Sequence, residues 1–159
     1  MRPMSLASLF GLRPREGRAH DPTRPWAGPA DGTPIHSFLD QRGVPWRVPR
    51  GELVERFGVT DGAIPIATPR PVLPGLVGTL TTPAGLPASL PADVFTGLVR
   101  LGGTPAADVR QAADEVSQYL GRARVEESRA GAECLWRFGA ASLSLRSTLD
   151  GCEICIRTA

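Results

Sequence analysis

Residues 104–158 read TPAADVRQAADEVSQYLGRARVEESRAGAECLWRFGAASLSLRSTLDGCEICIRT, and this stretch decides the fold. Thr104 offers a hydroxyl to an orphan backbone N–H at a helix start. Pro105 then sits at the first helical position, where its missing N–H costs nothing. Asp108 falls in the first turn, at the favourable end of the helix dipole. Val109, Ala112, Ala113, Val116 and Leu120 recur at helical spacing and make one apolar stripe. Arg110, Asp114, Glu115 and Gln118 lie off that stripe, as a solvated face requires. Gly121 supplies a left-handed stop.

Short strands follow. One is expected over Arg124 to Glu127 with Val125 as its apolar member, then a turn from Glu126 to Gly131. Cys134, Trp136 and Phe138 alternate with Glu133, Leu135 and Arg137. Ala141, Leu143 and Leu145 alternate with Ser142, Ser144 and Arg146. Asp150-Gly151 is a hairpin signal. Cys152, Ile154 and Ile156 then alternate with Glu153, Cys155 and Arg157. Trp136, Phe138, Leu143, Leu145, Ile154 and Ile156 thus share one sheet face. The helix stripe just before them is its nearest cover. The expected fold class is α+β, an antiparallel β-meander packed against helices.

Working back toward the N-terminus, Thr33-Pro34 repeats the cap-plus-proline start. Ile35, Phe38 and Leu39 form its apolar side and Gly43 its stop. Val44 to Val48, with Trp46 between Pro45 and Pro49, reads as extended. A second short helix starts at Pro49 or Arg50, with Leu53, Val54 and Phe57 as its stripe and Gly58 as its stop. Ala63 to Ala67 and Val72 to Thr81 are strand candidates that Pro65, Pro69, Pro71 and Pro74 demote to edges or irregular segments. Pro83 to Pro91 is a loop, Phe95 to Leu101 a strand, and Gly102-Gly103 a turn. Glu55–Val59 and Gln118–Arg122 echo one another, each a helix end with a large apolar residue followed by Gly. Residues 33–159 therefore form a single α+β domain, with two degenerate αβ units, 33–90 and 91–159, as the alternative.

Residues 1–32 read as a flexible or loosely docked arm. Arg13 to about Gly32 is rich in Pro, Gly, Arg and Asp, and Trp26 is placed to pin it. Ser5 to Leu12 is apolar but too short for a secretory signal and is followed by Arg13, Arg15 and Arg18. A frayed or docked terminal turn is the expectation, with a short membrane-surface helix as the alternative. No run is long enough to span a membrane, and a cytoplasmic location is expected.

Composition narrows the function classes. The 159 residues carry a net charge of +2, too weak to argue for nucleic acid. No lysine occurs, so every basic residue is arginine, which suits planar bidentate contacts. With abundant Ala, Gly and Pro, this points to GC-rich bacterial coding. Three cysteines argue against a disulfide framework. Cys152 and Cys155 form a CxxC, but three apart on a strand they face opposite ways. No metal site and no cofactor are expected.

The catalytic candidates are thin. His36 and Asp40 stand at i and i+4 but lack a nucleophile, since Ser37 faces elsewhere. Cys134 points into the core. A P-loop, a dinucleotide fingerprint and an HExxH helix do not occur. Glu52 with Glu55, and Glu126 with Glu127, are not placed across a cleft as glycosidase chemistry demands. Arg42, Arg47, Arg50 and Arg56 gather around Trp46, interleaved with Glu52 and Glu55. That pattern suits a protein-facing patch better than nucleic acid. Trp46 reads either as an interface anchor or as a lid on the core.

The two short helices Ile35–Arg42 and Arg50–Phe57, the helix ending Tyr119-Leu120-Gly121, Cys134-Leu-Trp-Arg-Phe-Gly139 and Leu143-Ser-Leu145 carry a likeness. The chain resembles the helix-plus-meander units of small bacterial inhibitor and immunity proteins, including the β-lactamase-inhibitor type. The likeness covers the last third best, while the proline-rich first half matches poorly. It implies a non-catalytic immunity or inhibitor protein that binds a cognate toxin through the meander's outer face or the loops. Candidate partner-binding residues are Trp46, Arg47, Arg50, Glu52, Glu55, Glu126 and Glu127, on a monomer or homodimer. An adaptor or secretion chaperone, dimeric with an exposed apolar groove, is the alternative. An enzyme using His36 or Cys134 comes third, and a nucleic-acid binder fourth.

Overall fold

A computed structural model describes residues 23, 24, 28, 31–85, 87–128 and 131–158. The expectations for Ser5 to Leu12 and for Trp26 lie outside these residues. Three helices are present among the described residues: α1 (Thr33–Arg42), α2 (Arg50–Phe57) and α3 (Pro105–Leu120). The strands are β1 (Ala63–Ile66), β2 (Leu80–Pro83), β3 (Val94–Val99), β4 (Arg124–Ser128), β5 (Gly131–Phe138), β6 (Ala141–Thr148) and β7 (Gly151–Arg157). They form one antiparallel sheet in the order β1-β2-β3-β7-β6-β5-β4. The protein is α+β, a meander sheet packed against helices.

Two meanders meet in that order by their last strands. β3 pairs with β7 residue for residue, from Val94↔Arg157 to Val99↔Cys152. The sheet therefore runs unbroken past residue 90. Each meander follows a helix that ends on glycine in the same conformation. Gly58 has φ 75 and ψ −176, and Gly121 has φ 77 and ψ −170. Only glycine adopts that region without strain. The echo seen in the sequence is thus a shared backbone geometry.

α3 starts as expected: Thr104 Oγ1 accepts from the Ala107 N–H at 3.2 Å. Its stripe, from Val109 to Leu120, is buried against β5, β6 and β7. The inner sheet face holds Trp136, Phe138, Leu143, Leu145, Ile154 and Ile156 as predicted, and Ile64, Ile66, Leu80, Phe95 and Val99 extend it. Each fully buried side chain of this size contributes about 1.5–3 kcal/mol. Trp136 Nε1 donates to Gly121 O at 2.8 Å, tying the end of α3 to β5.

Several boundaries differ from expectation. Thr33 is inside α1; Gly32 is the cap residue, and Asp31 Oδ1 accepts the Thr33 N–H at 3.0 Å. The Thr33 bonds hold the Asp31 carboxyl below its usual range. Val44 to Val48 is not extended but turns over Trp46 and Arg47. Val72 to Thr81 forms strand only from Leu80 on. Pro71 and Pro74 lack N–H donors, and Gly75 and Gly78 take φ of 81 and 66, so no ladder can propagate there. β1 carries Pro65 and lies at the sheet edge, where a missing donor is tolerated. Glu126 to Ser128 is strand, because its backbone pairs with Gly131 to Glu133 and the ladder overrides weak local propensity. The β6–β7 turn is Leu149-Asp150, with Gly151 already opposite Thr148. A hairpin signal passed over in the sequence, Asp61-Gly62, makes a tight turn with φ of 53 and 76.

Within the 1–32 segment, the Arg122 N–H donates to Arg24 O at 2.6 Å, a docked contact.

Candidate functional site

Trp46 is the centre of a polar cluster on the helix side. Its ring is half-buried and packs partly on the core, as the lid reading expects. His36 of α1 stacks on it with centroids 4.0 Å apart and planes 15° apart. The Arg47 guanidinium lies 4.0 Å from the ring centroid. Trp46 Nε1 donates to Asp40 Oδ1 at 2.7 Å, and Arg47 reaches the same oxygen at 3.2 Å. His36 Nε2 is 2.9 Å from the Thr158 carbonyl oxygen. A carbonyl only accepts, so Nε2 carries the proton.

This geometry removes the His36–Asp40 pairing. Asp40 is engaged by Trp46 and Arg47, while His36 turns to the end of β7. The expected arginine cluster also dissolves. Arg42 turns inward, its guanidinium 3.7 Å from the Phe38 ring centroid and 4.4 Å from that of Tyr119, with Nε donating to Val72 O at 2.8 Å. Burial pushes its pKa down. Arg50 is only 13% exposed and pairs with Asp93 at 3.0 Å, also donating to Pro91 O. Arg56 lies over Phe57. Arg47 remains open, at 65% exposure.

The other candidates divide between two places. Glu52 and Glu55 are exposed on α2, which packs on β1 at one end of the sheet. Glu126 and Glu127 lie on β4, the opposite edge strand. Glu126 is exposed and paired with Arg124 at 3.5 Å. The seven residues therefore do not form one patch.

Among the described residues no helix packs on the sheet's outer face, and the ladder register sets its side chains in rows, since residues directly opposite share a face. A central row runs Arg124, Leu135, Ser144, Cys155, Thr96, Thr81 and Pro65. On one side of it lie Glu126, Glu133, Arg146, Glu153 and Leu98. On the other lie Arg137, Ser142, Arg157 and Val94. The first flanking row is acidic in balance and the second basic. Within the acidic row Arg146 Nη2 donates to Glu153 Oε1 at 2.5 Å. Alternation along the strands made this face legible; its row pattern needed the register.

Two depressions open here. One of about 600 Å³ lies between Arg122, Arg124, Glu133 and Arg137 near the β4 edge. The other, about 410 Å³, lies between Val77, Thr96, Leu98 and Glu153. Cys134 and Cys152 are buried, while Cys155 is half-exposed on the other face, so the CxxC pair is split. Burial, aided by Asp108, pushes the Cys152 thiol up to about 12. Burial also raises Cys134 and Cys155. Among the described residues, no group of three or more His, Cys, Asp or Glu is placed to hold a metal ion. No helix among them is long and apolar enough to cross a membrane.

No family model matches the chain, and no curated protein or solved structure matches it.

Proposed function

We propose that this is a non-catalytic protein-binding protein, of the immunity or inhibitor type, that neutralises a cognate bacterial toxin by covering its working surface. The observation that carries this reading is the Trp46 cluster. Its indole donor is used by Asp40 and its two faces are covered by His36 and Arg47, so what the cluster offers a partner is a pre-formed aromatic–cation stack with the exposed Arg47 guanidinium outermost. Anchors held in place before binding lose little entropy on docking, and Trp and Arg are both enriched at interface hot spots. The adjacent Asp40, with Glu52 and Glu55 on α2, would supply a charged rim.

The test is co-expression with the product of the neighbouring gene. Rescue of growth and a purified complex are expected. Trp46→Ala is expected to weaken that complex by about 2 kcal/mol or more, roughly 30-fold in Kd. Absence of a complex with the neighbouring product, or full affinity retained by a folded Trp46→Ala/Arg47→Glu variant, refutes the reading.

A further inference from the structure

We infer that the outer face of the sheet is a self-association surface and that its occupant is a second copy of this chain. The charge pattern of this face is self-complementary. Arg137 and Arg157 flank the central row on one side, Glu133 and Glu153 on the other, and each opposed pair sits on one strand, β5 or β7. A two-fold axis laid along the central row, between two sheets face to face, sets every strand over its own copy. The same rotation exchanges the two flanking rows. Arg137 of each copy then lies over Glu133 of the other, and Arg157 over Glu153.

No other simple stacking does this. Sliding the copies by one strand breaks the matched pairs. A two-fold axis parallel to the strands leaves each row facing itself, with Arg over Arg and Glu over Glu, which is repulsive. Such an interface is isologous, as closed homodimers are. It also keeps the strands of the two sheets nearly aligned, the common sandwich geometry with the sheets about 10 Å apart. That gap suits Arg and Glu side chains meeting from opposite sides.

The centre of the face is apolar to neutral on β5, β6 and β7. Leu135, Ser144 and Cys155 lie on the axis row and meet their own copies. Arg124 is the one like-charge contact on that row. It sits on the edge strand, where sheet twist splays the two layers, and Glu126 already pairs with it. On β3, Val94 meets Leu98, so the flanking rows remain matched where the charges end. The Trp46 cluster rides on α1, on the opposite side of the sheet, and stays open in both copies. Self-association is therefore independent of the partner reading.

Light scattering on the full chain is the test. A mass near twice 16.9 kDa is expected at micromolar concentration, falling as salt is raised. Arg137→Glu/Arg157→Glu makes the face acidic, and Glu133→Arg/Glu153→Arg makes it basic. Each variant alone is expected to be monomeric with unchanged circular dichroism, although Glu133→Arg/Glu153→Arg gives up the Arg146–Glu153 pair and is expected to unfold at a lower urea midpoint. Mixed together, they are expected to form a one-to-one heterodimer. A parent chain that stays monomeric at every concentration tested overturns the inference. So does a dimer indifferent to both reversals, or a pair of folded variants that do not associate.

Discussion

Replacing Asp108 with Asn separates two accounts of one carboxylate. Sequence position alone makes Asp108 a helix-dipole residue, for which neutralisation costs about 0.3–1 kcal/mol. The structure gives it a second task. Its side chain is 3% exposed, and Oδ2 accepts the Leu101 N–H at 3.0 Å while Oδ1 accepts the Gly103 N–H at 3.2 Å. The carboxylate thus holds the turn by which β3 enters α3, where Gly102 takes φ 90. Hydrogen bonds to a charged group contribute about 1.5–3 kcal/mol each. An Asn carbonyl oxygen keeps one of them, and its NH₂ then faces the other N–H, donor against donor. The expected loss is about 2–4 kcal/mol.

Urea unfolding reads this as a lower midpoint at unchanged slope. Salt sharpens the contrast, because a dipole effect at a surface is screened in 1 M NaCl, while a buried bond is screened much less. Amide exchange at Leu101 and Gly103 should accelerate in the variant. A loss under about 1 kcal/mol that vanishes in salt would refute the turn-holding role and leave only the dipole.

Two further perturbations test the backbone and the core. Gly58→Ala meets no atom within 4 Å, so its cost is backbone strain alone, about 1–3 kcal/mol. For a chain of this size that lowers Tm by about 2–4 °C per kcal/mol, whereas Gly85→Ala, also in open space, should be neutral; equal Tm for the two variants counts against the strain. The Cys152 thiol stays protonated in the folded protein up to about 12, above its value in the unfolded chain. Its contribution is full below the unfolded value and is lost as pH rises, because the unfolded state sheds the proton first. Stability should fall above about pH 9 with a share of up to about 1.4 kcal/mol per pH unit from this thiol. Cys152→Ala should remove that share, and an unchanged urea-midpoint profile from pH 8 to 10.5 would refute it.

The α3–β7 stretch was legible because both of its periods are clean. A stripe at 3.6 spacing and runs at spacing two each leave one packing solution, and the two apolar faces match. The first half was less so. Pro71, Pro74, Gly75 and Gly78 say that strand fails without saying where the chain goes instead. Arg42 marks another limit. Composition makes it surface charge, but the Phe38 and Tyr119 rings, far apart in sequence, converge only in the fold and draw it inward. Asp108 is the same case, since its acceptor geometry depends on where β3 stops.

The candidate site divides along similar lines. Trp46 between prolines, beside Arg47, stood out in the chain. That Asp40 and His36 fix it was not, because helical spacing invites those two to pair with each other. What decides against that pairing is the competition for Asp40. A Trp N–H and a guanidinium reach it from one turn, and the Thr158 carbonyl gives His36 another acceptor. The outer face shows the converse. Each of its charges, taken singly, is ordinary solvated polarity on an alternating strand. Only the register of β5, β6, β7 and β3 sorts them into acidic and basic rows about a neutral line. A pattern that closes on itself under one rotation is information about association that no single strand contains, and local reading could not have reached it.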